Sequence, residues 1–488
     1  MTPRARIRGA ALIVLATLGG CDIVAGYDRL TLRDSAHVTW STALTGSGDA
    51  SVRVLGATSA GTILAAGTFE GDLQLGAATL GTKGTTSAFV ALLSREGAVQ
   101  QLGALESTAV ARPLAASGSK LAGIFTGELV TQAGTLATAT GDDALFLLDV
   151  SAISGAIESA RALGGAGFVS PEQKLDLAVD SAGNTLLGGS YGGSLTFSGC
   201  APYPAKTKPN LFLAKLDKAG MCLWSIQNDD GAPQRIESVA VDGLNDFVVV
   251  GGEFVGKLEF AGMPVLQNSG GVDLFIARFD AEGTAQWSRS FGNGLAHGGA
   301  RVAAAPGGYS ALVAWFDGTL DFGAGPLVAT RGHDLVVANF RPNGQLEWQK
   351  QLAIVRPACD LTTCEFDDVR AMFDPEGNLV VSSAFRGSVS IDGVSLGTTD
   401  DAAGYLLAKF DRSGHLLWSG HFGDANDDCS ERGHCELALT IDAERNVYLG
   451  GSFNGALDFS AVVHDGALSN APLFAEDGRD AFLAKFLR

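Results

Sequence analysis

Short, nearly continuous apolar segments recur along this chain. Seven of them share one pattern and begin at residues 87, 143, 210, 273, 334, 404 and 480, with the sequences SAFVALL, DALFLLD, NLFLAKL, DLFIARF, DLVVANF, GYLLAKF and DAFLAKF. An apolar run of this length, bounded by turn residues, is typical of a β-strand that is buried on both faces. No helical period of apolar residues follows the N-terminal segment. The pattern therefore predicts an all-β fold built from repeats.

Two further elements precede each buried strand. The nearer one is Gly-x-Phe-x-Gly-x-Leu-x-Phe or a variant of it, with its aromatic residue at positions 69, 125, 191, 254, 316, 385 and 453. The other is a hairpin with an Asp-x-x-Gly-Asn type of turn, as at 180–184. Asp can bond backbone N–H groups in such a turn, and Gly or Asn tolerates positive φ.

A fourth element follows the buried strand, and it consists of a turn and a strand that ends near a tryptophan. The tryptophans are Trp224, Trp287, Trp348 and Trp418, and the first two copies carry Gln101 and Ser159 instead. Because these tryptophans occupy equivalent positions, we expect them to pack between strands. Each repeat of roughly 60–70 residues thus supplies about four strands, which is typical of a β-propeller blade.

The ends of the chain complement each other. The last repeat stops after its buried strand, and a matching strand, HVTWS, occurs at 37–41. We therefore predict a seven-bladed β-propeller over residues 37–488, with about four strands per blade and the N-terminal strand completing the last blade. Such closure leaves no free sheet edge.

The AVDSAGN-type hairpin, the DAFLAKF-type strand and the Gly-x-x-x-Trp strand resemble the seven-bladed β-propeller repeat family of bacterial envelope and secreted proteins (SBBP-like repeats). The resemblance covers about residues 37–488 and implies the fold, but this family has no common ligand or chemistry. The series Asp-x-x-Gly-x-x-x-Trp, as at Asp280 to Trp287, is also similar to the tryptophan-docking repeat of quinoprotein dehydrogenases. Its turn is one residue shorter, and those propellers have eight blades.

Residues 1–20 have the features of an export signal. Three arginines precede the apolar run 10–18, which is too short to span a bilayer. The run ends in Leu-Gly-Gly-Cys21, which resembles the lipobox of bacterial lipoproteins and implies a lipidated Cys21. We expect a lipoprotein signal peptide (1–20), a tether (21–36) and a membrane-anchored protein of the cell envelope, facing the periplasm or the cell surface. An ordinary cleaved signal is the alternative.

The charge of the chain excludes one class of partner. Lys and Arg number 34 and Asp and Glu 53, so the net charge is −19. A chain this acidic has no electrostatic footprint for nucleic acid.

The cysteines after Cys21 are six, an even number, as a set of disulfides requires. An oxidising compartment permits disulfides, and we predict the local pairs Cys200–Cys222, Cys359–Cys364 and Cys429–Cys435. A zinc site made from the four loop cysteines and His434 is the alternative, although their spacing is loose for zinc.

Two long loops depart from the repeat and carry the last two cysteine pairs. Their polar residues form a candidate binding surface: Asp360, Glu365, Asp367, Asp368, Asp424, Asn426, Asp427 and Asp428. Oxygen-rich loops can bind Ca²⁺, but no spaced calcium-loop signature occurs here, and a solvated acidic loop stiffened by a disulfide is the plainer interpretation. We expect no other cofactor and no resident metal.

These features favour a monomeric, lipid-anchored binding or scaffold protein that presents a loop face to an envelope protein or glycan, without catalysis. The alternative is an envelope enzyme of the polysaccharide lyase or glycosidase type with its site in the propeller channel. That would need convergent acids or a histidine on the inward strands, whose turns show only the repeat Asp. Gly188–Gly192 matches G-x-S-x-G, but no helix follows it. The seven histidines are scattered, and we expect most of them on the surface.

Overall fold

The computed structural model describes residues 37–81, 87–137, 143–163, 174–228, 230–295, 297–330, 333–355, 368–397, 403–423, 436–459, 472–475 and 478–487. Within these ranges the chain forms strands and turns. A helix long and apolar enough to cross a membrane does not occur among them. The predicted signal peptide, Cys21 and the tether lie outside the described residues.

The strands are numbered in chain order. Strands β1 to β13 run over His37–Gly46, Ala50–Ala57, Ile63–Phe69, Asp72–Leu75, Ala78–Gly81, Ser87–Leu93, Val99–Ser107, Val110–Ser117, Lys120–Thr126, Glu128–Thr131, Gly134–Ala137, Asp143–Val150 and Ile157–Leu163. Strands β14 to β27 run over Leu175–Val179, Thr185–Leu195, Tyr203–Leu216, Cys222–Gln227, Gln234–Val241, Val248–Phe254, Lys257–Leu258, Leu266–Gln267, Asp273–Phe279, Ala285–Phe291, His297–Ala304, Ser310–Phe316, Thr319–Asp321 and Pro326–Val328. Strands β28 to β40 run over Asp334–Phe340, Leu346–Val355, Val369–Phe373, Leu379–Arg386, Ser388–Ile391, Val394–Gly397, Ala403–Phe410, Leu416–Phe422, Leu437–Ile441, Val447–Phe453, Ala456–Leu457, Leu473–Phe474 and Asp480–Leu487.

Seven four-stranded antiparallel sheets form the blades of a β-propeller, which confirms the predicted fold class. From the innermost strand outward they are β2-β3-β6-β7, β8-β9-β12-β13, β14-β15-β16-β17, β18-β19-β22-β23, β24-β25-β28-β29, β30-β31-β34-β35 and β36-β37-β40-β1, numbered here as blades one to seven. Small hairpins between the second and third strands add contacts between blades. For example, β4 pairs with β1, β10 with β7 and β32 with β29, each across a blade boundary.

The ring closes as predicted, because the first strand of the chain is the outer strand of the last blade. Strand β1 pairs antiparallel with β40, from His37 opposite Leu487 to Leu44 opposite Ala481. The sheet of this blade therefore combines three strands from the C-terminal part of the sequence with one strand from the N-terminal part.

Each blade is buried on both faces, as the apolar runs predict. All seven residues of β22, for instance, are buried. The core is divided into clusters that each join neighbouring blades, such as Leu64 of blade one with Leu121 and Phe146 of blade two. Truncating one of these buried phenylalanines to Ala costs about 3–5 kcal/mol in a typical core.

The small residues of the second strands allow this close packing of blades. A Cβ atom on Gly188 would lie 2.5 Å from the Val239 side chain of the next blade, and one on Gly251 would lie 2.5 Å from Val302. Glycine in a strand marks such a close approach. The recurring Gly-Gly pair is therefore a packing requirement.

The tryptophans dock between blades rather than between strands of one blade. The Nε1 atom of Trp224 donates to the carbonyl oxygen of Ala281 at 3.0 Å, and Trp287 does the same to Pro342 at 2.9 Å. Both acceptors lie in the turn between the third and fourth strands of the next blade. Trp348 and Trp40 make equivalent bonds to Arg412 and Arg95. A net contribution of about 1 kcal/mol is typical of one such bond.

The predicted hairpin turn is present, and it is linked to the next blade. Asp180 accepts from the backbone N–H of Asn184 at 2.7 Å. The other carboxylate oxygen of Asp180 pairs with Lys215 at 2.9 Å, and this buried lysine also donates to the carbonyl oxygen of Ala281. We call the end of the propeller that holds these turns the turn face. The loop face is the opposite end, where each outer strand connects to the inner strand of the next blade.

The predicted disulfide between Cys200 and Cys222 is confirmed, with a Cα–Cα distance of 5.5 Å and a sequence separation of 22 residues. A crosslink that closes a loop of this length stabilises a fold by about 3 kcal/mol in the chain-entropy view. The cysteines of the other two predicted pairs lie outside the described residues.

Deletion of residues 37–44 tests the ring closure. We expect the melting temperature to fall by more than 10 °C, because the deletion uncovers a long edge of β40 and removes the Trp40 contact. The measurement is thermal unfolding followed by circular dichroism. A variant that lacks residues 1–36 is the control and should melt like the undeleted chain. If the 37–44 deletion also melted like the undeleted chain, β1 would not close the ring.

Candidate functional site: the charged tier of the central channel

The innermost strands of all seven blades line a central channel of about 880 Å³. These strands, β2, β8, β14, β18, β24, β30 and β36, each begin at the loop face and end at the turn face. Side chains from their first residues therefore meet at one end of the channel, and side chains from their last residues meet at the other.

The end nearer the loop face is densely charged. Eleven ionisable side chains line it, and we call them the charged tier: Arg53, Arg112, Lys174, Asp176, Arg235, Glu237, Glu253, Arg301, Asp368, Arg370 and Glu436. Towards the turn face the wall becomes apolar, with Val179, Val241, Phe373 and Ile441. The channel thus changes from charged to apolar along its length.

Two local features bring these side chains to the channel. In blades three and six the charged residues lie two apart, at 174 and 176 and at 368 and 370, and such residues share one side of a strand. Arg53 and Glu237 lie where the pairing register shifts, between Val52 and Val54 and between Ile236 and Ser238. A β-bulge of this kind re-aims a side chain.

Part of the charged tier satisfies the backbone of the inner strands. An innermost strand has one open edge, whose N–H and C=O groups need partners. Asp176 of blade three accepts from the N–H of Val239 in blade four at 2.9 Å. Arg301 of blade five donates to the carbonyl oxygens of Val369 in blade six, at 3.0 Å, and of Glu237 in blade four. These charged groups therefore have a structural role.

Other members of the charged tier pair with each other. Arg53 of blade one forms an ion pair with Glu436 of blade seven. Arg370 pairs with Asp368 at 3.0 Å within blade six. The Lys174 ammonium lies 4.0 Å from a carboxylate oxygen of Glu237, which is a loose contact.

Three side chains of the charged tier have polar atoms without a hydrogen-bond partner among the described residues. Two are carboxylates, Glu237, which is only 2 % exposed, and Glu436, and in each the Oε2 atom is buried and unpartnered. The third is Arg112, whose partly buried guanidinium forms no hydrogen bond within the described part of the chain. A buried polar atom without a partner costs about 1–3 kcal/mol, so these groups are the points at which the channel can bind a ligand.

Burial shifts the ionisation of the charged tier. It raises the pKa of Glu253 to about 8, and the neighbouring charge of Glu237 adds to the effect. The backbone N–H of Gly299 donates to Glu253 Oε1 at 3.2 Å. Burial, followed by repulsion from Arg53, lowers the pKa of Arg112, which still remains cationic at neutral pH. The charged tier holds six cationic side chains and five carboxyl groups, and Glu253 is largely protonated at neutral pH. The charged tier therefore carries a net positive charge.

Of the predicted loop residues, Asp368 lies within the described residues, and it belongs to the charged tier. One of its carboxylate oxygens accepts from the N–H of Leu437 at 3.0 Å, while the other pairs with Arg370. The remaining predicted loop residues lie outside the described ranges: Asp360, Glu365, Asp367, Asp424, Asn426, Asp427 and Asp428. The same holds for His434 and for the four loop cysteines. Where side chains are described, no group of three or more potential metal ligands comes together. Disulfide pairing of the loop cysteines stays a prediction, with zinc or calcium binding by the loops as the alternatives.

One sequence expectation needs correction. Acids do converge on the channel from the inward strands, because Asp176 of β14 and Glu237 of β18 both line it. Their signal in the sequence is a charged residue near the start of each inner strand, about one repeat apart. Glu253 reaches the channel from β19, the second strand of blade four, and lacks this signal. Among the histidines, most of which we expect on the surface, His415 is exposed and His297 is buried, and burial lowers the pKa of His297 to about 4. Ser190 of the G-x-S-x-G match is buried within β15, as expected for repeat consensus.

No protein-family model and no curated protein matches the sequence. Among solved structures, the chain is similar to the β-propeller domain of the Trilobed protease from Pyrococcus furiosus, at 10 % identity over 78 % of this chain and 100 % of that chain, with a TM-score of 0.34. It is also similar to the quinohemoprotein alcohol dehydrogenase from Comamonas testosteroni, at 10 % identity over 93 % and 77 % of the two chains, with a TM-score of 0.35. A protein of unknown function from Bacteroides caccae matches at 12 % identity over 64 % and 80 %, with a TM-score of 0.32. Likenesses this distant carry no argument about function.

Glu253→Gln tests the ionisation of the charged tier. Between about pH 4.5 and pH 8 the folded wild type holds a proton on Glu253 that the unfolded chain has released, so the stability of the wild type falls as the pH rises through this window. The variant lacks this loss, so we expect the difference in unfolding free energy between variant and wild type to shift in favour of the variant from pH 4.5 to pH 8.5, with a ceiling of about 5 kcal/mol at about 1.4 kcal/mol per pKa unit.

The measurement is urea unfolding from pH 4.5 to 8.5. Glu259→Gln, at an exposed position outside the channel, is the matched control. Equal pH profiles for the two variants would contradict the raised pKa of Glu253.

Proposed function

We propose that this chain is a lipid-anchored binding protein of the bacterial cell envelope that binds its ligand at the charged tier of the channel, without catalysis. The observation that carries the proposal is the convergence of charged side chains in one channel of about 880 Å³. Among them are Glu237, whose buried Oε2 atom has no described partner, and Arg112, whose guanidinium forms no hydrogen bond with the described residues. Binding sites are typically concave and combine apolar walls with a few convergent polar groups.

The structural contacts of the charged tier favour binding over catalysis. Asp176, Arg301 and Asp368 are held by backbone groups of neighbouring blades, so they shape the channel but have little freedom to exchange protons with a substrate. A closed ring of blades also provides a rigid site, which lowers the entropic cost of binding. We propose that the protein acts as a monomer, because each blade already has two neighbours.

The acidic loops belong to the same proposal. The segments 356–367 and 424–435 connect β29 to β30 and β35 to β36, whose joined ends lie at the loop face. Asp368 links them to the charged tier. We propose that their acidic residues help to select an envelope glycan or the end of an envelope protein that enters the channel.

An enzyme with its site in the channel is the second candidate, and one observation favours it. Glu253 holds a proton at neutral pH beside a second carboxyl, Glu237, as a general acid would. Cleavage of an envelope polysaccharide that is lost in Glu253→Gln while ligand binding persists would establish this candidate instead.

Labelling cells with an alkyne analogue of palmitate tests the anchor. We expect the wild type to incorporate the label and to partition with membranes, because Cys21 lies at the end of the lipobox-like sequence. Cys21→Ser should lose both properties, while the folded propeller keeps its melting temperature. Label retained by Cys21→Ser would contradict lipidation at this residue.

Site-specific photo-crosslinking in cells tests the binding site. A photoreactive amino acid at Ala371, in the channel wall, should yield a defined adduct by mass spectrometry. The same residue at Ala60, an exposed position on the turn face, is the control and should not yield it. Ala116→Trp narrows the channel and should abolish the adduct. No adduct, or the same adduct from both positions, would overturn the proposed site.

A further inference from the structure

We infer that the ligand of the channel is an acidic saccharide, whose oxyanion is bound by Arg112 and whose hydroxyl groups reach Glu237. This inference rests on the proposed function and adds the chemical class of the ligand. The oxyanion is a carboxylate, as in a uronic acid, or a phosphate or sulfate ester, since these share the recognition chemistry of arginine.

Arg112 differs from the other arginines of the charged tier in having donors to spare. Arg53 is paired with Glu436, and Arg370 is paired with Asp368. Arg301 donates to backbone carbonyl oxygens. The guanidinium of Arg112 is partly buried at the start of β8, and the described residues supply it with no hydrogen-bond acceptor. A guanidinium has five N–H donors in a planar fork, which matches an oxyanion in a bidentate contact.

The charge of the tier points to an anion as the missing partner of Arg112. Arg53 repels Arg112, whereas Glu436 and Asp143 attract it. Glu436 is paired with Arg53, and Asp143 accepts from the Thr126 hydroxyl, so neither carboxylate is hydrogen-bonded to Arg112 within the described part of the chain. The charged tier as a whole holds six cationic side chains and five carboxyl groups, of which Glu253 is largely protonated at neutral pH. An oxyanion would neutralise this excess of positive charge, whereas a cation would increase it.

Glu237 adds the requirement for hydrogen-bond donors on the ligand. Its side chain is nine-tenths or more buried, and its Oε2 atom accepts no bond from the described residues. A carboxylate oxygen accepts hydrogen bonds, so the group that meets it must donate. Hydroxyl groups beside an oxyanion are the defining combination of an acidic sugar. The apolar wall beyond the charged tier suits the C–H faces of a sugar ring.

The test uses four probes in isothermal titration calorimetry on the folded, full mature protein: D-glucuronate, glucose 6-phosphate, D-glucose and inorganic phosphate. Sodium chloride keeps the ionic strength constant, so that general screening does not mimic binding. We expect glucuronate or glucose 6-phosphate to bind and glucose to show no heat. Which of the two acidic sugars binds more tightly distinguishes a carboxylate from a phosphate ligand.

Three variants assign the contacts. Arg112→Gln should lower the affinity for the acidic sugars at least tenfold. The affinity of Arg112→Lys should lie between those of Arg112→Gln and the wild type, because lysine keeps the charge but loses the bidentate fork. Glu237→Gln should lower the affinity for the acidic sugars while leaving the affinity for inorganic phosphate unchanged. Arg341→Gln, at an exposed turn outside the channel, is the control and should bind like the wild type. Circular dichroism confirms that each variant is folded.

The inference and the proposed function fail separately. Glucose that binds as tightly as the acidic sugars, or an unchanged affinity in Arg112→Gln, overturns the acidic-saccharide inference. So does a lack of binding by all four probes when the channel photo-adduct persists. If the photoreactive residue at position 371 gives no adduct in an otherwise wild-type protein, the proposed function itself is overturned.

Discussion

A sheet that is apolar on both faces must be covered on both faces, and every other feature of this propeller follows from that constraint. Seven sheets cover one another in a ring, so each blade buries its apolar faces against two neighbours. The glycine pairs bring the blades close, and the docked tryptophans fix each outer strand to the next turn. The ring is complete only when β1 joins β40.

The same constraint creates the charged tier. Packing seven sheets edge-inward exposes seven inner strand edges to one channel, and their backbone groups need partners. Asp176, Arg301 and Asp368 supply some of them from neighbouring blades. A polar channel is therefore a structural consequence of the fold, and a function can act on the groups without a described partner, at Arg112, Glu237 and Glu436.

The fold could be predicted because its signals are local. The buried strands, the Asp–Asn turns, the Trp strand at 37–41 and the Cys200–Cys222 pair can each be recognised within a few residues or by comparison between repeats. The charged tier could not, because its members lie in different repeats and look like isolated surface charges. The positions of Arg53 and Glu237 are still harder to predict, because a register shift at each residue breaks the alternation of inward and outward side chains along the strand. Of the predicted loop surface, Asp368 alone falls within the described residues.

The direction of β1 has a consequence for how the molecule would stand on a membrane. As the outer strand of the last blade, β1 begins beside the end of β40, at the turn face, and runs towards the loop face. A lipid attached upstream of His37 would therefore be joined to the propeller at its turn face, the end at which the channel is apolar. The charged mouth lies at the opposite end, so an anchor of this kind would leave it clear of the point of attachment.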